Sequence, residues 1–340
     1  MVAQIDFDYF KTRPLKGLQR LTSYALFEGR PLTTSGRWIN PLVFTHLAVE
    51  KKLPRLKKVE KPIFIIGAGR SGTTLLGILL SMHRNVGYLN EPKALWHSIY
   101  STEDVIGSYA NGPAFYRLDE TSVDDSTVEN AHRLYGAYLR LIGAQRVVDK
   151  YPELVFRVSF VRSLFPDARF IFLSRNGWDT AASIEKWSQR KGSGFGKESL
   201  DWWGKDRRKW NLMLQQLVAE DPDLSPVFEL VCSLTKHEHM ALVEWIVSMR
   251  EGLDVHRKYP DDVMWLRYED LTINPIMRLD ELLRFCDLPE DKVFMHYALG
   301  IIKPNQGHKR IDIPDFLQGA FSRISSDLGY AGMAGLAESG

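Results

Sequence analysis

The stretch Gly67-Ala-Gly-Arg-Ser-Gly-Thr-Thr74 has the spacing Gly-x-Gly-x-x-Gly and lies between an apolar run and a helical pattern. Glycines at those positions let the backbone approach a ligand closely, and several N–H groups then converge on one concavity at a helix N-terminus. That arrangement favours an anion. Three chemistries share it. With Glu91 about twenty residues on, where a ribose-binding acid would stand, the run reads as a dinucleotide fingerprint of an NAD(P)-dependent oxidoreductase. Read as Gly-x-x-x-x-Gly-x-Thr it is a P-loop in which Thr73 replaces the usual lysine. An ATP- and magnesium-dependent kinase would want that lysine and a strand-end carboxylate, which Asp149 could imitate. Arg70 and the hydroxyls of Thr73 and Thr74 suit a highly charged group in transfer better than a passive pyrophosphate. A tight turn with no ligand is the plain alternative.

Such a loop needs a scaffold, and the surrounding pattern supplies one. Ile63-Phe-Ile-Ile66 is a short β-branched and aromatic run of the kind buried on both faces of a sheet, and residues 73–82 read as a helix. Further strands are expected at 86–89, 146–149, 169–174 and 263–268, with helices near 127–143, 153–165, 179–190 and 275–287. Strands alternating with helices imply right-handed crossovers and an α/β fold, a doubly wound parallel sheet with helices on both faces. Ligands in such sheets bind beyond the carboxyl ends of the strands.

Two motifs resemble the sulfotransferase family, whose members use 3′-phosphoadenosine 5′-phosphosulfate as donor and have a P-loop-like fold. Arg70-Ser-Gly-Thr-Thr74 resembles that family's 5′-phosphosulfate loop, where Lys or Arg precedes Ser-Gly-Thr-Thr. Phe165-Pro-Asp-Ala-Arg-Phe-Ile-Phe-Leu-Ser-Arg175, with Ser183 eight residues further on, resembles its 3′-phosphate motif. A guanidinium at a strand end offers a planar fork to phosphate, and a serine one turn into the next helix can point its hydroxyl at the same anion. The resemblance covers about residues 62–330. It implies donor contacts from Gly69, Arg70, Ser71, Gly72, Thr73, Thr74, Arg175 and Ser183. Arg267-Tyr-Glu-Asp-Leu271 and Leu328-Gly-Tyr330 also fit, and Lys303 lies where relatives often wrap the donor.

Asn90-Glu-Pro-Lys-Ala-Leu-Trp-His97 resembles the Glu-Pro…Trp-His segment of relatives acting on sugar hydroxyls, with two extra residues between Pro and Trp. In glycan and tyrosine sulfotransferases a Glu there is the general base, which implies that role for Glu91, with His97 as the second choice. A helix cap before Pro92 is the plain reading of Glu91. Asp149-Lys-Tyr-Pro152 resembles the family's Lys-x-Pro, whose lysine steadies the sulfuryl group, with Asp149 as its local partner. The implied function is sulfation of a hydroxyl on a saccharide or glycolipid. The family chemistry uses no metal, and His237-Glu-His239 lacks the i, i+4 spacing of two ligands on one helical face.

Composition sets the outer bounds. The chain of 340 residues has 44 Lys+Arg and 42 Asp+Glu, so no global field selects nucleic acid. Residues 1–61 carry 12 Lys/Arg and 5 Asp/Glu, net +7, leaving net −5 for the remainder. Residues 1–60 therefore read as a basic N-terminal extension and 61–340 as the sulfotransferase domain. The run Lys51-Lys-Leu-Pro-Arg-Leu-Lys-Lys58 is either a solvated linker or a peripheral contact with an anionic membrane surface. Residues 184–250 hold five of the nine tryptophans and read as a helical insertion, either ordinary packing or a lid over a sugar. Two cysteines and an acidic N-terminus argue for a cytoplasmic protein.

Overall fold

The computed structural model describes residues 4–32, 34–191, 193–195, 198–303 and 311–330. It opens with α1 (Phe7–Thr12), α2 (Pro14–Leu26) and α3 (Asn40–Glu50), and then enters the sheet. β1 (Ile63–Gly67) leads through the glycine-rich loop into α4 (Thr73–Ser81). β2 (Val86–Asn90), α5 (Lys93–Ile99), α6 (Asp125–Ile142) and β3 (Arg146–Lys150) follow, then α7 (Val158–Leu164), β4 (Arg169–Ser174) and α8 (Gly177–Lys191). The strands pair in parallel in the order β2-β3-β1-β4-β8, where β8 is Val263–Arg267. The expected strands and most expected helices are present, because buried β-branched runs and 3.6-residue periodicity are strong signals.

β1 shows how the sequence divides the core. Ile63 and Ile65 face one layer with Leu76, Leu79 and Leu80 of α4. Phe64 and Ile66 face the other with Leu134 and Tyr138 of α6. Alternation on a strand buried on both faces reads as one continuous apolar run. Strands run outward from β1 in both directions, so the crevice at the carboxyl ends of β3, β1 and β4 is the topological switch point.

Two regions differ from expectation. The N-terminal extension does not hang off the domain. Its Tyr9 enters one core layer, its Phe27, Val43 and Leu47 enter the other, and Lys16 donates to the backbone of Val86. The basic run is largely anchored as well: Lys51 caps Ser98 O, Lys57 caps Ala144 O, and Arg55 pairs with Glu129. The Trp-rich insertion contains a small antiparallel sheet, β5 (Ser193–Phe195), β6 (Glu198–Asp201) and β7 (Gly204–Lys205), and then α9 (Arg208–Gln216). Trp203, Trp210 and Trp245 are buried in the common core, as packing residues; the last lies on the 22-residue α10 (His237–Lys258).

Candidate active site

The loop between β1 and α4 is shaped by its glycines. Gly67 has φ +141°, and a Cβ there would stand 2.5 Å from the Leu173 carbonyl oxygen of β4. Gly72 caps α4 at φ +98°, with the Tyr268 ring where its Cβ would be. Between them the Ser71 hydroxyl donates to Ala68 O at 2.7 Å and pins the turn. Arg70 adopts φ +67°, a conformation that L-residues rarely take, and Glu91 likewise sits at φ +47°. Two strained non-glycine residues facing one cleft are a mark of a functional site.

Arg175 and Ser183 arrive from β4 and α8. The Arg70 side chain donates from Nε to Ser183 Oγ at 3.1 Å, so the two anion motifs meet across the crevice. Arg175 packs over the Tyr268 ring, 4.6 Å from its centroid, and approaches Asp179 at 3.4 Å. Its Nε is buried and has no hydrogen-bond partner among the described residues, which leaves a donor for an incoming anion. The turn that presents Arg175 is held from behind. Glu269 accepts from the Asn176 backbone N–H and side-chain amide, both at 3.0 Å, and from the Tyr330 hydroxyl at 2.7 Å.

Glu91 and Lys150 form the centre. Lys150 Nζ donates to Glu91 Oε1 at 2.5 Å, and the Glu91 N–H donates to Lys150 O at 2.7 Å. Burial would raise the Glu91 carboxyl, but Lys150, Lys93 and Lys209 override it and hold it at about 2. Asp149 is not the partner of Lys150. Its side chain lies on the opposite face of β3, completely buried, and accepts from Trp96 Nε1 and the Tyr135 hydroxyl. Burial, set against those hydrogen bonds, raises its carboxyl to about 7.

Glu91 is positioned by the N-terminal segment. The Glu28 carboxylate takes a bidentate contact from buried Arg20, at 2.5 and 3.0 Å, and also accepts from the Asn90 N–H at 2.7 Å. Its own carbonyl accepts from Ala94 N–H. Gly29 has no Cβ to collide with Ala94, so the two segments can clasp. Nothing in the sequence spacing joins Glu28 to Glu91, sixty-three positions away.

A cleft of about 250 Å³ runs along these groups, and its walls include Arg70, Thr73, Thr74, Glu91, Lys150 and Lys209. Trp202 and Trp187 form its aromatic side, edge to face with centroids 5.2 Å apart. The Trp202 ring occupies the space where a Cβ of Gly69 would be. Glu244 holds both Trp202 Nε1 at 2.5 Å and Lys209 Nζ at 2.6 Å, and Lys209 lies over the Trp202 ring. Lys209, Glu28 and Glu244 escaped the sequence reading because none belongs to a local motif, and Lys93 because it stands as a spacer inside one.

Two residues stand apart. His97 packs edge-on against Phe44 and lines a separate depression with Lys51 and Lys52, not the cleft that holds Glu91. Lys303 is exposed beyond the end of α11 (Lys292–Ile301), and the loop 304–310 lies outside the described residues.

Comparisons with known proteins bear on the family and the fold. A family model described as "Sulfotransferase family" matches residues 62–230. The chain is 27% identical over 260 residues to an uncharacterised protein of Aquifex aeolicus, covering 75% of this chain and 29% of that one. It is 25% identical over 248 residues to a protein-tyrosine sulfotransferase of Drosophila melanogaster, covering 72% and 41%. The aligned stretches thus span less than half the length of either relative. The crystal structure of sulfotransferase STF9 from Mycobacterium avium superposes with a TM-score of 0.50 at 14% identity, over 96% of this chain and 91% of that one, and so shares the fold.

Proposed function

On the premise that the chain belongs to the sulfotransferase family, we propose that it transfers the sulfuryl group of 3′-phosphoadenosine 5′-phosphosulfate to a hydroxyl of a saccharide or glycolipid. The observation that carries this reading is the convergence of the Arg70 loop and the Arg175–Ser183 motif beside the Glu91–Lys150 pair. The donor has two anionic ends, and the crevice has two sets of donors for them. Loop N–H groups, Arg70, Thr73 and Thr74 would hold the phosphosulfate end, while Arg175 and Ser183 would hold the 3′-phosphate. The unsatisfied Arg175 Nε fits that assignment.

Glu91 is the proposed base. Held at about 2, its carboxyl is fully ionised at neutral pH and able to accept a proton. It takes the proton of the acceptor hydroxyl as the acceptor oxygen bonds to sulfur and the bond from sulfur to the phosphate oxygen breaks. The leaving group departs as 3′,5′-adenosine bisphosphate. Lys150 and Arg70 offset the charge that develops on the leaving oxygen. When Lys150 turns from Glu91 toward the sulfuryl group, the carboxylate loses its closest cation and becomes more basic. Trp202 and Trp187 offer apolar faces to a sugar ring. A phenolic acceptor is the second reading, favoured by the tyrosine sulfotransferases among the relatives.

Calorimetry with 3′,5′-adenosine bisphosphate and with ATP–Mg²⁺ tests the donor class. Binding of ATP–Mg²⁺ with no response to the bisphosphate would refute the proposal in favour of a kinase. Turnover of labelled donor with saccharide and tyrosyl-peptide acceptors then separates the two acceptor readings.

A further inference from the structure

α3 and the helical turn before it (Arg37–Ile39) are apolar on two sides. Val43 and Leu47 are buried in the core, and Glu50 is tied to Arg140, so the helix cannot rotate to hide its other face. That outer face carries Trp38, Leu42, Thr45 and Val49, a single stripe with the i, i+4, i+7, i+11 spacing. Trp38 is 83% exposed, Leu42 57% and Val49 53%. No acidic residue interrupts the stripe. Arg37 stands at one end and Lys52 at the other, both exposed and without a side-chain partner among the described residues.

We propose that this face docks the protein onto an anionic membrane surface. The outward side of a surface helix is normally charged or polar, and three large apolar side chains exposed in one stripe there mark an interaction site. Tryptophan with aliphatic residues, flanked by cations, is the composition of a helix lying in the headgroup region. The exposed cations that flank it, Arg37 and Lys52, give the face a positive rim complementary to an anionic surface. The exposed apolar area of the stripe is on the order of 400 Å², about half of what one partner brings to a standard protein–protein interface. Among the described residues no helix is long and apolar enough to cross a bilayer. Pro31 and Thr34, just before the stripe, line the catalytic cleft, which puts the cleft mouth near the docking face.

Sedimentation of the whole protein with vesicles tests this independently of catalysis. The protein should pellet with vesicles of phosphatidylcholine mixed with phosphatidylglycerol, and at least about tenfold less with phosphatidylcholine alone or in high salt. Leu42→Glu and Trp38→Ala should each weaken that partition about tenfold or more while leaving bisphosphate binding and the unfolding temperature unchanged. Failure of the unaltered protein to bind anionic vesicles at low salt overturns the proposal. So does binding that Leu42→Glu leaves intact. Self-association abolished by Leu42→Glu would reassign the face to a second copy of the chain and equally overturn it.

Discussion

Replacing Lys150 with methionine should release the Glu91 carboxyl from its depressed state. In the structure Lys150 Nζ is 2.5 Å from Glu91 Oε1, and the carboxyl is held at about 2 instead of the ordinary 4.5. At about 1.4 kcal/mol per tenfold change in protonation, that difference corresponds to roughly 3 kcal/mol. However, 37% of the Glu91 side chain is accessible, so solvent screening reduces the effective value to about 1–2 kcal/mol. Lys93 and Lys209 remain in the variant, while burial still pushes the carboxyl up. The expected result is a carboxyl titrating at about 3–5. Carboxyl-carbon NMR across a pH series, assigned with Glu91→Gln, reads this directly. Because the folded carboxyl lies below its unfolded value, its stabilisation is complete above about pH 5 and is lost as pH falls towards 2. The stability difference between the two proteins should therefore be constant above about pH 5 and shrink below it. A Glu91 carboxyl still titrating near 2 in Lys150→Met would refute the assignment and leave Lys93 and Lys209 as the controlling charges.

Other outcomes follow from the same geometry. Arg20→Met strands the buried Glu28 carboxylate and should cost about 3–5 kcal/mol in urea unfolding, much of it recovered by adding Glu28→Leu. Glu28→Gln should keep bisphosphate affinity but lower turnover about tenfold or more, because Glu28 fixes the backbone beside Glu91. Glu269→Gln should do the reverse, weakening bisphosphate binding about five- to tenfold in calorimetry through the Asn176 turn that presents Arg175. Gly67→Ala forces a Cβ against Leu173 O at φ +141° and should destabilise the fold by at least about 2 kcal/mol in thermal unfolding.

Local pattern was enough to locate the strand–loop–helix around Gly67–Thr74, the parallel sheet and the family, because each depends on spacing within about twenty residues. Glu91, Lys150, Arg70 and Arg175 were legible as candidates, each standing in or just past a strand's carboxyl end, and Ser183 by its spacing from Arg175 along α8. The partner of Lys150 was misread. Asp149 is its sequence neighbour, but adjacent residues on a strand point to opposite faces, so Asp149 turns into the core and Glu91 meets the lysine from the next strand.

The sequence by itself determined which residues stand in motifs suited to anion binding and proton transfer, and which elements hold them. Tertiary structure alone decided which of them share a cleft. It brought Arg20 of α2 and Glu28 just after that helix behind Glu91, set Trp202 of the insertion against Gly69 with Lys209 over its ring, and put His97 in a different depression. The physical reason is that electrostatic and hydrogen-bonded contacts depend on distance in space. Chain spacing fixes that distance only within one element or turn, and packing fixes it everywhere else.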